Sequence, residues 1–191
     1  MPVPSDTVAN VHPVTISGTY VNLREFRDDD LTDSMTVVGD PEVTRSLSFD
    51  ARSEDDQSAR LVADIARAAR DPRPDYYLAI ANPDDRLIGF VRIGLGRDRS
   101  GELGYAIRRA DWGKGYATEA SSLMLGFGFQ ELGLHRIQAA CGPDNRPSQR
   151  LLARLGFTPE GRLRDHVFTN GAWRDSLLYS ILDGEWTQPA P

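Results

Sequence analysis

The sequence predicts a mixed α/β domain: a mostly antiparallel sheet with one parallel pair, flanked by helices. Three observations predict it. Three strand-like runs, "YYLAIA" (76–81), "RLIGFVRIGL" (86–95) and "GELGYAIR" (101–108), follow one another with only short turns between them, as antiparallel neighbours do. A helix-length pattern then separates 101–108 from the strand "HRIQAAC" (135–141), and a helical crossover makes those two strands parallel. Near the end, Asn170-Gly171 stands between strands at about 161–169 and 174–182, a strong hairpin signal.

The elements follow in order. "TYVNLREF" (19–26) alternates apolar and polar residues and reads as one strand. Asp28 to Asp30 are expected to cap a helix carrying Leu31, Met35 and Val38 on one face. "GDPEV" opens a short second helix, with Asp40 as cap and Pro41 in the first turn. Residues 53–70 form a clear helix, with Ser53 and Asp56 resembling a capping box and Leu61, Ile65 and Ala68 sharing a face. The turn "NPDD" joins 76–81 to 86–95. A helix over about 117–131 turns Ala120, Leu123, Met124 and Phe127 inward. Helix 147–155 buries Leu151, Leu152 and Leu155, and Gly156 supplies the left-handed residue that ends it.

A chain of 191 residues suits one domain, here 15–187, with loose tails at 1–14 and 188–191. "MPVPSDTVANVHP" has neither the basic start nor the apolar core of a secretory signal. No run of about 18 apolar residues exists, so no membrane partner is expected. The 22 basic against 28 acidic residues, net −6, argue against nucleic acid and favour a cationic partner over an anionic one. Cys141 is the one cysteine, which excludes an internal disulfide and makes a reducing cytoplasm the default location.

"RADWGKGYATEA" (109–120) concentrates the functional signal. It follows a strand and opens a helix, where several backbone N–H groups lack helical partners and the dipole attracts anions. Gly113 and Gly115 carry no side chain to obstruct a close approach, so the segment can cradle a diphosphate; Lys114 can add charge and Thr118 a hydroxyl. The same glycines also suit a turn that merely packs the helix on the sheet. Neither the Gly-x-x-x-x-Gly-Lys-Ser/Thr nor the Gly-x-Gly-x-x-Gly pattern is present.

"ELGYAIRRADWGKGYATEA" resembles the acyl-coenzyme A binding motif of the GNAT acetyltransferases, and "HRIQAACGPDNRPSQRLLARLGF" resembles the segment that follows it. "LREFRDDDL", "DPEVTRSLSF" and "WRDSLLYSILDGEW" are similar to the RimJ/RimL-like branch, so the resemblance spans about 19–186 in order. At the first motif position, where Gln or Arg is usual, stands Trp112, a departure typical of that branch. The resemblance implies the GNAT fold: a strongly twisted mixed sheet of six or seven strands with a central parallel pair that splays apart. It implies acetyl-CoA as cosubstrate, no metal, and direct acetyl transfer to a primary amine. The acceptor would be a protein or peptide N-terminus or a small-molecule amine. The alternative is a non-catalytic acyl-CoA sensor. A homodimer through the last strands is a further expectation.

By the same resemblance, Trp112, Gly113, Lys114, Gly115, Tyr116, Ala117 and Thr118 hold the diphosphate. Ala106, Ile107 and Arg108 bond the pantetheine arm through their backbone, with an amide close to Ala106 supporting the oxyanion. Gly104 fits a bulge or relieves crowding. Glu102 is the candidate base, expected to be partly shielded from water, although a surface glutamate at a strand edge looks the same in sequence. Asp165 and His166 are weaker alternatives, and His135 reads as structural. "DNRPSQRLL" supplies Asn145 for the pantetheine amide or the loop, and Ser148 to hydrogen-bond the departing thiolate, unless Ser148 only caps the helix. A tyrosine acid further along that helix is absent, since Leu151, Leu152 and Ala153 stand there. Arg154 is a candidate for the 3′-phosphate. Cys141 reads as a buried structural thiol. Tyr76, Tyr77, Phe90 and Tyr105 read mostly as core, with one or two lining the acceptor cleft.

Overall fold

The computed structural model describes residues 12–187. One sheet of eight strands runs through the molecule: β1 (Thr15–Ser17), β2 (Asn22–Arg24), β3 (Asp75–Ala81), β4 (Leu87–Leu95), β5 (Ser100–Ile107), β6 (Arg136–Cys141), β7 (Thr158–Thr169) and β8 (Ala172–Leu182). Their spatial order is β1-β2-β3-β4-β5-β6-β8-β7, and β5–β6 is the parallel pair the crossover requires. The five helices are α1 (Leu31–Val38), α2 (Pro41–Thr44), α3 (Glu54–Ala68), α4 (Tyr116–Gly126) and α5 (Arg146–Arg154).

Strand alternation makes two cores. Leu78, Ile80, Val91, Leu103 and Ile107 point to one face and meet Ala120, Met124 and Leu125 of α4 and Leu151 and Leu152 of α5. Ala79, Phe90 and Ala106 point to the other face and meet Val37, Val38, Val43 and Leu61 of α1, α2 and α3. Burying apolar side chains on both faces of a central sheet gives three layers.

Several local expectations hold. Ser53 Oγ accepts from the Asp56 amide at 3.2 Å, and Asp40 accepts from the Glu42 amide at 2.9 Å. Gly156 has φ +88°, and Asn170 and Gly171 have φ +53° and +73°, as a tight hairpin between twisted strands demands.

Others change. The sheet has one strand more than expected, because residues 15–24 form a short hairpin rather than one strand at 19–26. Its turn is held from afar: the Glu119 carboxylate of α4 accepts from the amides of Thr19, Tyr20 and Val21. Asp30 does not cap α1 through its side chain; its carboxylate takes both Nη atoms of buried Arg24 at 2.8 Å. The helix after the glycine segment is α-helical only to Gly126 and continues as a wide π turn over Phe127–Glu131. The tails at 1–11 and 188–191 lie outside the described residues. Val14, assigned to the tail, is instead 2% exposed and belongs to the core.

Among the described residues no helix is long and apolar enough to cross a membrane, and no group of His, Cys, Asp or Glu is placed to hold a metal ion.

Candidate active site

β5 and β6 pair only over Ser100–Glu102 and Arg136–Gln138, and beyond that they separate. A cavity of about 450 Å³ runs through the opening, lined on one side by Glu102, Gly104, Phe90 and Arg92 and on the other by Tyr105, Cys141, Asn145 and Ser148. The alternation of β5 explains the division. Glu102 and Gly104 share the face of Ala106, toward α1–α3, whereas Leu103, Tyr105 and Ile107 share the face toward α4 and α5.

The same alternation decides which main-chain groups reach the gap. Phe90 pairs with Ala106, and the Arg108 amide donates to Ile88 O at 2.9 Å, so Ala106 and Arg108 turn their amides toward β4. The residues whose main chain faces the open edge are Leu103, Tyr105 and Ile107. Trp112 Nε1 donates to Ile107 O from that side at 2.7 Å. Of the three residues expected to offer backbone contacts, Ile107 is the one oriented to do so, and Tyr105 joins it.

Gly104 is neither a bulge nor a relief of crowding. It sits in regular register opposite Arg92, and a Cβ built on it would meet nothing within 4 Å. Its missing side chain widens the cavity.

The glycine segment fits a diphosphate. Gly113 and Gly115 have φ +77° and +84°, which side chains disfavour, and a Cβ on either would enter open space. The amides of residues 113–117 have no hydrogen-bond partner among the described residues. Those of Trp112 and Thr118 are already bonded to Arg109 O and Gly115 O. Five free donors at the positive end of α4 make an anion cradle. Lys114 Nζ lies 2.6 Å from Asp111 Oδ1, and Arg108 Nε pairs with the other oxygen. Burial alone would raise the Asp111 carboxyl, but the hydrogen bonds from Lys114 and Arg108 outweigh it and hold it below the usual value. Asp111 thereby ties both cations to the rim of the cradle.

On the far side of the gap, Asn145 Oδ1 accepts from the Ser148 amide at 3.1 Å, so Asn145 is the cap of α5 and Ser148 is not. The Ser148 hydroxyl meets Tyr105 Oη at 2.7 Å and also interacts with the Cys141 thiol, partly offsetting the rise that burial imposes on that thiol's pKa. Burial pushes the Tyr105 phenol well above its ordinary pKa, so it stays protonated across the working range. The sequence reading missed this partnership. The signal was present in strand parity, since Tyr105 falls on the α5 face, three residues beyond Glu102, the last paired position.

Glu102 is exposed rather than shielded, and it lines the cavity without an ionic partner among the described residues. His166 also lines the cavity, its Nδ1 3.0 Å from Ser176 Oγ, whereas Asp165 does not. His135 is exposed and lies 3.1 Å from Asp183. Cys141 is free and buried, and burial raises its thiol pKa, which makes it a poor nucleophile. Arg154 is exposed near the end of α5, outside the cavity lining. Glu54 to Asp56 form the acidic first turn of α3, behind the Ser53 cap, and take no part in the cavity.

Residues 21–158 match the family model described as the acetyltransferase (GNAT) domain. The uncharacterized N-acetyltransferase p20 of Bacillus licheniformis is 30% identical over 168 residues, 87% of this chain and 94% of that protein. The ribosomal protein uS5-alanine N-acetyltransferase of Escherichia coli (strain K12) is 34% identical over 116 residues, 59% of this chain and 60% of that protein. Mycobacterium smegmatis RimJ in complex with CoA-disulfide superposes with a TM-score of 0.80 at 28% identity, covering 91% of this chain and 90% of that one. The chain belongs to the GNAT acetyltransferase family.

Proposed function

We propose that this acetyltransferase moves an acetyl group directly from acetyl-CoA to a primary amine. The observation that carries the reading is the cavity through the β5–β6 opening, with Glu102 on one face and the Tyr105–Ser148 pair on the other. Acetyl-CoA, when bound, supplies a thioester whose acyl carbon the amine attacks.

The residues divide the remaining work. The amides of 113–117 bind the diphosphate. The Tyr105 main chain and the Ile107 amide, left without a strand partner by the separation from β6, hold the arm that lies along β5 as an added strand would; the Ile107 carbonyl is already taken by Trp112 Nε1. Glu102 takes the proton released by the amine nitrogen, directly or through one water. Tyr105 donates to Ser148 Oγ, which leaves the Ser148 proton to point at the departing sulfur. A phenol whose pKa burial pushes above that of an ordinary thiol is too weak an acid to protonate the departing thiolate. The pair therefore stabilises the thiolate by hydrogen bonding, and the thiolate takes its proton from solvent on release.

A peptide N-terminal amine is the first acceptor to test, because a relative named for such an acceptor, the uS5-alanine enzyme, is 34% identical to this chain. The test is a panel of peptides and small amines incubated with acetyl-CoA, with free thiol measured and products identified by mass spectrometry. Amide products are expected. Binding of acetyl-CoA with no amine acetylated overturns the reading and favours a sensor.

A further inference from the structure

Four arginines line the cavity, and their partners differ. Arg60 Nε donates to both Asp64 oxygens at 2.9 Å. Arg92 Nε lies 2.7 Å from Asp75 Oδ2. Arg174 gives its terminal nitrogens to the carbonyl oxygens of Arg45 and Leu47. Arg52 pairs with no carboxylate among the described residues. Its guanidinium lies 4.2 Å over the Phe49 ring, and Nη1 donates to Gln57 Oε1 at 2.8 Å.

That arrangement is fixed from behind. Gln57 is buried, 4% exposed, and its Nε2 donates to Ser34 Oγ at 3.2 Å. The Ser34 proton is already given to Leu31 O at 2.7 Å. Ser34 can therefore only accept, so the Gln57 amide has one orientation and presents its oxygen to Arg52. Arg52 is held by neutral groups and keeps Nε and Nη2 without a partner among the described residues. Burial disfavours its charge and lowers its pKa, as expected of a desolvated cation lacking a counter-ion.

In the same cavity Glu102 lacks an ionic partner too. Of the other lining carboxylates, Asp175 is held by Arg162 Nε at 2.5 Å and by the Asp165 amide at 2.9 Å. Arg174 has no carboxylate partner among the described residues either, but both its terminal nitrogens are taken and its Nε is buried. Arg52 is therefore the lining guanidinium with nitrogens left for a ligand, and Glu102 the carboxylate without an ionic partner among the described residues. We infer that the acceptor is an amine that itself carries a carboxylate, with the amine at Glu102 and the carboxylate on Arg52. This rests on the transfer reaction proposed above and names the class of its acceptor. It also reverses the expectation from net charge: the molecule is acidic, but four arginines face two carboxylates in the cavity lining. Two sources offer this chemistry, a free amino acid and a peptide N-terminus with an acidic side chain close behind it.

The experiment compares matched acceptors with the full chain. One pair is an Ala-Glu-Ala peptide amide and its Ala-Gln-Ala counterpart; the other is a free amino acid and its carboxamide. Values of kcat and KM are measured for wild type, Arg52→Gln and Arg52→Lys, with melting temperature as the check on folding. In wild type the carboxylate member of at least one pair is expected to lead by about tenfold or more in kcat/KM, chiefly through KM. Arg52→Gln should bring the members of that pair to parity, and Arg52→Lys should restore part of the difference. The pair that discriminates identifies the source. Equal use of carboxylate and amide members by wild type overturns the inference and leaves the transfer reaction standing. A preference that survives in folded Arg52→Gln overturns the assignment to Arg52. No acetylation of any amine overturns both.

Discussion

Tyr105 Oη and Ser148 Oγ, 43 residues apart in the chain, meet at 2.7 Å where β5 has parted from β6. The contact binds the strand that would carry the thioester to the helix that lies beyond it. In the proposed reaction the two hydroxyls act as one unit. Tyr105→Phe and Ser148→Ala are each expected to lower kcat by about ten- to a hundredfold, the worth of a hydrogen bond to a charged group. The double variant should fall little further, because the two act as one unit. Steady-state kinetics with acetyl-CoA affinity measured in parallel reads this; additive losses would separate the two roles.

Gly104→Val probes the cavity itself. A Cβ there meets no atom within 4 Å, and the position is in regular strand register, so folding should change by no more than about 0.5 kcal/mol. The added methyls occupy the Glu102 side of the cavity, where the proposed reaction would place the amine. The acceptor KM should rise while the calorimetric affinity for acetyl-CoA stays constant.

Gly115→Ala forces a Cβ onto φ +84° at the N-cap of α4 and should cost about 1 kcal/mol of stability in urea denaturation. Gly113→Val should weaken acetyl-CoA by about tenfold, by disturbing one or two of the free amides. The amine KM should respond to neither as strongly as the cosubstrate does.

Glu160 gives a pH signature. Hydrogen bonds from Arg136, and then from Ser180, hold its carboxyl down at about 2. A folded-state pKa below the unfolded one contributes stability above the unfolded value, and that contribution fades as the pH falls through the folded value. The window therefore runs from about 4.3 down to the folded value near 2. The pair is solvent-screened, so the effect is modest. Melting curves of wild type and Glu160→Gln should differ at neutral pH, more at low salt than at high, and converge at the acid end of that window.

Most of the frame was legible because its signals are local. Asn170-Gly171 specified its hairpin, Gly156 the end of α5, and Ser53 the start of α3, each through backbone geometry that neighbouring residues impose. The hairpin at 15–24 was not legible, since "TIS" is three residues long and its turn depends on Glu119, about a hundred residues away. The glycine cradle could be read from spacing, and the separation of β5 from β6 only through family resemblance. Which amides face the gap depended on ladder parity, which a shift of one residue would invert. Arg52 left no trace in the sequence, because its significance lies in the neutrality of Phe49 and Gln57 around it.

The early parting of β5 from β6 has a mechanical consequence. Much of β5, a central strand, has no strand neighbour on one side, so the sheet carries a seam down its middle that a bound thioester carrier would close. Loading should then stiffen residues on both sides of the seam together, seen as slowed amide exchange at 103–107 and 139–141, and unloading should soften them again. Turnover in such a molecule is a repeated lacing and unlacing of its own sheet.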